Sequence, residues 1–132
     1  MKKYFFVLLV FLAFNATTVI AEKVHQRETF IKNGVSYVTR TSKPVNGVVV
    51  KYYTLNRLLA LRIHYTDGKK DGLEEAFYRN GKLHFRANYK DGKEDGLTEH
   101  FHTNGQLKSR VTYKEGKEEG LSEYFDKSGQ KI

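Results

Sequence analysis

The stretch of sequence that decides the fold is YKDGKEDGLTEHFHTNGQLKSRVTY, residues 89–113. It begins and ends on a tyrosine, and a third tyrosine lies 24 residues before it, at Tyr65. The positions that recur with the same period are Gly68, Gly92 and Gly116; Gly72, Gly96 and Gly120; Leu73, Leu97 and Leu121; Phe77, Phe101 and Phe125; and Gly81, Gly105 and Gly129. A fixed period of this length is the sequence signature of a repeat architecture.

Each repeat unit is predicted to form two short strands. Apolar residues occupy every second position from Lys82 to Tyr89, and Leu73 to Tyr78 alternates in the same manner. Alternation with a period of two is typical of half-buried antiparallel strands. The connection from Lys90 to Gly96, which carries a glycine at Gly92 and another at its end, is expected to be the longer one.

The turn inside each unit follows from the faces of its two strands. A three-residue loop, Arg79-Asn80-Gly81 with Gly81 left-handed, matches the apolar faces, because it places Phe77 opposite Leu83. The same register would place Glu74 opposite Arg86, a favourable cross-strand charge pair.

These patterns predict an all-β fold of antiparallel β-hairpin repeats with a 24-residue period. The hairpins would form an elongated, curved single-sheet meander of roughly nine strands, three of them from residues 28–54. The predicted boundaries are a signal peptide over residues 1–21 and a repeat domain over 22–132. That domain divides into a lead-in (28–46), a degenerate repeat (47–71), two full repeats (72–95 and 96–119) and a truncated repeat (120–132).

The unit from Tyr89 to Leu97, followed by Phe101 and then by Asn104 to Lys108, resembles the MORN repeat variant. It is similar to the repeats of antitoxin-like proteins of the YwqK family, and residues 33–37 and 42–47 resemble the lead-in of those proteins. The resemblance covers about residues 28–132. It implies hairpin repeats that bind without catalysis, and it implies as an alternative an antitoxin or immunity-type protein that neutralises a toxin by occupying it.

The N-terminus has the layout of a secretory signal peptide. Lys2-Lys3 precede an apolar run from Tyr4 to Phe14, and Val19-Ile20-Ala21 come before Glu22. The apolar run is shorter than the ~20 residues that a membrane-spanning helix needs. We therefore expect cleavage near Ala21 and export to the periplasm or the exterior, which argues against a cytoplasmic antitoxin.

Composition excludes several kinds of chemistry. The chain of 132 residues has no Cys, so disulfides, thiolate metal sites, a Cys nucleophile and a lipidated N-terminal Cys are excluded. No serine lies in a nucleophile-elbow setting, and the repeated Gly-Lys loops lack the ending and the following helix of a P-loop. The sequence predicts no enzyme, no cofactor and no metal.

Two sets of residues have a functional interpretation as well as a structural one. Glu75, Glu99 and Glu123 recur at one position, expected on the apolar face, and we interpret the row as duplication at a strand end. His84 and His102 are expected near one another, with His100 on the face of His102. Imidazoles on adjacent strands are a zinc ligand set, but we favour an exposed polar stripe.

The apolar face of a one-layer sheet needs a cover, because soluble proteins rarely expose large apolar patches. Sheet curvature, a second copy in a homo-oligomer, or an unidentified protein partner would provide it, and we favour the partner. The predicted partner surface is Leu73, Phe77, Tyr89, Leu97, Phe101, Tyr113, Leu121 and Phe125.

A second candidate surface is basic. The chain has 23 Lys and Arg against 15 Asp and Glu, a net charge of +8. The predicted stripe for an anionic ligand consists of Arg62, Lys82, Arg86, Lys108 and Arg110. Such a stripe suits an anionic membrane lipid or an acidic protein. An equally good interpretation is a solvated sheet face that resists edge-to-edge aggregation. Nucleic acid is disfavoured by the expected export and by the scattered acidic residues.

Overall fold

The computed structural model describes residues 23–25, 29–55 and 57–132, which form eleven strands and no helix. Across that part of the chain, nothing forms a helix long and apolar enough to cross a membrane. The strands are β1 (Lys23–His25), β2 (Thr29–Lys32), β3 (Val35–Val38), β4 (Gly47–Tyr52), β5 (Leu59–Thr66), β6 (Lys69–Phe77), β7 (Leu83–Lys90), β8 (Lys93–Phe101), β9 (Leu107–Lys114), β10 (Lys117–Glu118) and β11 (Glu123–Tyr124). The predicted signal peptide, residues 1–21, lies outside the described residues.

The main sheet is an antiparallel meander, as predicted. Its strand order is β1-β4-β5-β6-β7-β8-β9-β10, and β11 also pairs with β9. From β4 to β10 each strand is antiparallel to the next one in sequence, whereas β1 lies parallel to β4 at the edge. Of the three strands expected from residues 28–54, only β4 joins this sheet, because β2 and β3 pair with each other in a separate hairpin.

The turn inside each repeat has the predicted three residues. At Arg79-Asn80-Gly81 the Tyr78 N–H donates to the Lys82 carbonyl at 2.8 Å, and the Gly81 N–H donates to the Tyr78 carbonyl at 2.9 Å. Gly81 has a φ of 81°. The same hydrogen bonds recur between His102 and Gln106. We call these connections the wide turns.

The prediction of a longer second connection, from Lys90 to Gly96, is wrong. Strand β7 continues to Lys90 and β8 begins at Lys93, so only two residues connect them. Asp91 and Gly92 both have positive φ, 49° and 85°, as a type I′ hairpin turn requires. Gly96 lies within β8, where an added Cβ would come 3.3 Å from the Asn88 Cβ. We call the two-residue connections the narrow turns.

A β-bulge in each hairpin changes which residues share a face. Phe77 pairs with Leu83 as predicted, but Ala76 pairs with Phe85, so His84 is the extra residue. The next pair is then Glu75 with Arg86. The expected pairing of Glu74 with Arg86 is therefore wrong, since a shift of one residue exchanges the two faces of a strand.

The sheet therefore has two faces of different character. We call one the packing face, and its central row pairs Ile63, Glu74, Ala87, Thr98 and Val111 across successive strands. Ile63 and Ala87 are buried there. We call the other the ladder face, and its central row is Arg62, Glu75, Arg86, Glu99 and Arg110.

The lead-in hairpin is fixed to the first narrow turn. The Ser36 N–H donates to the Gly68 carbonyl, and the Gly68 N–H donates to the Val45 carbonyl, both at 2.8 Å. Val45 is fully buried and packs with Val49, Val38 and Tyr65. A Cβ on Gly68 would come 2.6 Å from the Ser36 carbonyl oxygen. Only glycine permits this close approach of the lead-in to the turn.

Candidate interaction surface

The predicted partner surface is divided between the two faces. Leu73 pairs with Asn88, and Leu97 pairs with Thr112, which places both leucines on the ladder face. The tyrosines Tyr89 and Tyr113 pair with glycines on the packing face instead. The expectation that these aromatic and leucine side chains share one face is therefore wrong, because the bulge at the wide turn shifts the register.

The remaining members of that set lie toward the ladder face or outside the strands. The Arg86 guanidinium lies 5.7 Å from the centroid of the Phe101 ring. Phe77 and Phe125 occupy the corresponding positions of their hairpins, each one residue after a packing-face residue. Leu121 lies between β10 and β11 and is 94% exposed. Leu97 is 38% exposed, so the ladder face keeps apolar side chains accessible.

Arginine and glutamate alternate along the central row of the ladder face. The sequence of the row across the sheet is Arg62, Glu75, Arg86, Glu99, Arg110 and Glu123. Each arginine forms an ion pair with the glutamate that follows it in the row. The Arg86 Nε–Glu99 Oε2 distance is 2.5 Å, and the Arg110 Nε–Glu123 Oε2 distance is 3.5 Å.

In these ion pairs the glutamate side chains are more deeply buried than the arginine side chains. The side chain of Arg86 is 48% exposed, but that of its partner Glu99 is only 7% exposed. A carboxylate this deep needs a charged or hydrogen-bonded partner, and the arginine supplies both. The expectation that the glutamate row lies on an apolar face is therefore wrong, since the row lies among the arginines and is neutralised by them.

The predicted anionic-ligand stripe is not a row of unpaired positive charges. Its members Arg62, Arg86 and Arg110 each bind a glutamate. Lys82 lies at a wide turn, where its Nζ donates to the Asn104 carbonyl at 2.7 Å. Lys108 is exposed near the next wide turn. The stripe is thus split between the ladder and the wide-turn margin of the sheet.

Sequence reasoning missed a row of lysines on the ladder face beside the narrow turns. The register pairs Lys90 with Lys93 and Lys114 with Lys117, and it places Lys69 opposite Thr66. The lysine row is Lys69, Lys90, Lys93, Lys114 and Lys117, all of them exposed. Lys114 pairs with Asp95 at 3.1 Å, whereas the other four form no ion pair within the described chain. The 24-residue spacing of Lys69, Lys93 and Lys117 is the signal that would have indicated the row.

The packing face contains a small polar cluster around Tyr89. The Lys70 ammonium lies 2.5 Å from a Glu74 carboxylate oxygen and 4.6 Å from the centroid of the Tyr89 ring. The Thr98 hydroxyl donates to Glu94 at 3.2 Å. Burial raises the pKa of the Tyr89 hydroxyl far above its ordinary value, and the charges of Glu74 and Glu94 raise it further. The buried polar groups of this face therefore have partners in the fold.

The three histidines considered as zinc ligands have separate contacts. His84 contacts the Tyr78 ring at 4.4 Å between centroids, and His100 contacts the Phe85 ring at 4.9 Å. The His102 Nε2 lies 2.9 Å from the Phe125 carbonyl. Burial lowers the pKa of His100, and the charge of His84 lowers it further. Among the described residues no group of His, Asp and Glu is arranged to hold a metal ion.

The repeat units are bound to one another by contacts that recur. The Tyr78 hydroxyl donates to the Phe101 carbonyl at 2.7 Å, and the Arg86–Glu99 ion pair joins the same two hairpins. At the narrow turns the Gly92 N–H donates to the Lys70 carbonyl at 2.8 Å. Successive hairpins are therefore fixed at both ends and in the middle, which gives the ladder face a regular geometry.

Two of these hairpins match a known repeat family. The family model for the MORN repeat variant matches residues 70–91 and 94–115, which are the β6–β7 and β8–β9 hairpins. These two hairpins are MORN-variant repeats. Such repeats are generally binding modules for proteins or membranes, consistent with a non-catalytic repeat protein. No curated protein and no solved structure matches the chain.

Proposed function

We propose that this chain is an exported, non-catalytic MORN-variant module that binds a protein partner on its ladder face. The observation that carries the proposal is that Leu97 remains exposed on this face beside arginines that already bind glutamates. Apolar side chains beside arginines are the composition that protein interfaces favour. The layout of residues 1–21 supports the exported location.

The ion-pair ladder makes this face suitable for burial by another protein. A charged group that loses water without a partner destabilises a complex strongly. On the ladder face each arginine already binds a glutamate, and its half-exposed guanidinium has N–H groups beyond those that bind the glutamate. A partner can therefore cover the row of arginines and glutamates and add hydrogen bonds to the arginines without leaving either charge of an ion pair unpaired.

Site-specific photocrosslinking in the host envelope tests this function. A photoreactive residue at Leu97 samples the ladder face, and one at Thr103 samples an exposed wide turn as the matched control. We expect a discrete adduct with another polypeptide from position 97 and none from position 103. Equal adducts at both positions, or none at position 97, would contradict the proposed surface. Sequencing the N-terminus of the protein recovered from the envelope checks cleavage near Ala21.

A second candidate function is peripheral binding to anionic lipid through the wide-turn margin. That margin carries the exposed basic residues Arg57, Arg79, Lys82, Lys108 and Lys127. The apolar side chain of Leu55, which is 87% exposed, lies at the same margin. Cosedimentation with vesicles separates the two candidates, because lipid binding through these charges requires anionic lipid and weakens as salt is added.

A further inference from the structure

On the ladder face, a row in which Leu73 and Leu97 alternate with Asn88 and Thr112 lies between the lysine row and the row of paired arginines and glutamates. Along β8 the order is Lys93, Leu97 and Glu99, and Glu99 lies between Arg86 and Arg110. The leucines thus lie between the lysine row at the narrow turns and the arginines of the ladder. Within the ion pairs of this face the acids are less exposed than the cations, since Glu99 and Asp95 are 7% and 21% exposed and Arg86 and Lys114 are 48% and 60% exposed. The turn acids Asp67, Asp91 and Glu115 beside the lysine row are exposed.

Asp95 pairs with Lys114 within the lysine row, but the direct opposition of its lysines does not favour stability of the fold. Lys90 directly opposes Lys93, and Lys114 directly opposes Lys117, in two successive hairpins. Like charges directly opposite each other destabilise a strand pair. Both lysine pairs flank a narrow turn that is hydrogen-bonded to the neighbouring repeat, so the backbone at these lysines is held at a repeated spacing. A ligand with negative charges would offset the repulsion between them.

The spacing of these rows matches the dimensions of an α-helix. Leu73 and Leu97 are two strands apart, which is ~9.6 Å, and two turns of helix advance ~10.8 Å. Lys90 and Arg86 are four residues apart along β7, which is ~13 Å, and a helix with its side chains is ~10–12 Å wide. A helix lying across the strands would therefore contact the leucines and have the lysine row along one side and the half-exposed arginines of the ladder along the other.

We propose that the ladder face binds an acidic amphipathic helix of its partner, laid across the strands along the leucines. Its apolar stripe would contact Leu73 and Leu97, and carboxylates on its two flanks would bind the lysine row and the arginines. This inference rests on the proposed function and specifies the partner. An apolar stripe at i, i+3, i+4 and i+7 is the mode in which helices bind apolar grooves.

Two other occupants fit this face less well. An extended strand repeats its side chains every ~6.6–6.8 Å on one face, which does not match leucines that are ~9.6 Å apart. A second copy stacked with its strands parallel to the first would place one lysine row against the other, and like charges in contact oppose association. The lysines of this face that form no ion pair therefore favour an acidic partner over a second copy.

Titration with designed peptides tests this inference. The protein is purified after expression of the full chain, and the probe is a three-heptad peptide with a leucine stripe and glutamates on both flanks. We expect binding that weakens as salt is added. The Lys90→Glu/Lys93→Glu double variant and the Leu97→Asp variant should each weaken it at least tenfold. Lys127→Glu, an exposed lysine at a wide turn, is the matched control and should leave binding unchanged.

Control ligands decide what is recognised. A peptide with lysines in place of the glutamates, and one with alanines in place of the leucines, should both bind at least tenfold more weakly. If the peptide with alanines in place of the leucines binds as tightly as the probe, the face recognises only negative charge and the inference is wrong. It is also wrong if vesicles containing phosphatidylglycerol bind through Lys90 and Lys93 while the probe does not. If a protein is crosslinked at position 97 but the probe does not bind, the inference of an acidic helix is wrong and the proposed protein-binding function is still supported.

Discussion

The packing face and the ladder face are formed by alternate residues of the same strands, but they are stabilised differently. On β7, Ala87 is fully buried on the packing face, and the neighbouring Arg86 side chain is 48% exposed on the ladder face. Burial of apolar groups therefore stabilises the first face, and ion pairing between repeats stabilises the second. The contrast indicates that the ladder face can change its surface without losing the fold.

The largest difference between the faces is expected from truncation of an apolar side chain. Ile63→Ala removes a side chain that is 6% exposed on the packing face, and it should lower the free energy of unfolding by about 2–4 kcal/mol. The matched change Leu97→Ala on the ladder face should lower it by less than about 1 kcal/mol, because Leu97 is 38% exposed. Urea denaturation measures both, and equal losses would contradict the assignment of the core to the packing face.

The repeat period made much of the fold predictable. Glycines and apolar residues that recur every 24 positions specify hairpins, and the wide turn with left-handed Gly81 was predicted correctly. Matching the apolar residues Phe77 and Leu83 across that turn was also correct. These features depend on local turn geometry and on alternation, which are both visible in one unit of sequence.

The faces could not be predicted in the same way. The bulge at His84 is a shift of one residue, and sequence alternation is the same on either side of it. It places Glu75 opposite Arg86, so the ladder could be recognised only from the register. The narrow turn was missed for a similar reason, since Gly92 and Gly96 both have positive φ but only Gly92 lies in the turn. The leucines and arginines of the proposed surface could therefore be chosen from the sequence, but their arrangement on the sheet could not be predicted from it.

Within the ladder, the depth of each glutamate should set its contribution to stability. Glu99→Ala removes a carboxylate that is 7% exposed and leaves Arg86 without its ion-pair partner. We expect a loss of about 1–2 kcal/mol, which is reduced by the solvent exposure of the arginine. Glu123→Ala should cost less than Glu99→Ala, because its carboxylate is 32% exposed, lies 3.5 Å from Arg110 and otherwise pairs with the exposed Lys131. Double-mutant cycles with the arginines measure each pair, and the reverse order would contradict the ladder geometry.

The packing face should also be the more sensitive to high pH. The pKa of Tyr89 is raised in the folded state by burial and by Glu74, so the folded protein keeps a proton that the unfolded chain loses above pH ~10. Its contribution to stability is therefore complete below pH ~10 and declines as the pH rises further. Urea midpoints measured across this range should fall less steeply in Tyr89→Phe, where this proton is absent. An identical fall in the variant and the original protein would contradict the assignment.

The smallest expected effect concerns the lysine pairs, where the ladder face departs from what stability alone would favour. Lys90→Glu converts the direct opposition of Lys90 and Lys93 into an opposite-charge pair. It should therefore stabilise the fold by about 0.2–0.5 kcal/mol. The same change removes a cation from the row that we propose binds an acidic helix, so affinity for the peptide probe should fall while stability rises. On the packing face, by contrast, Ile63→Ala should lower stability with no separate effect on peptide affinity at temperatures where the variant is folded. If Lys90→Glu destabilises the fold, the lysines are part of its structure, and their exposure does not reflect a binding role.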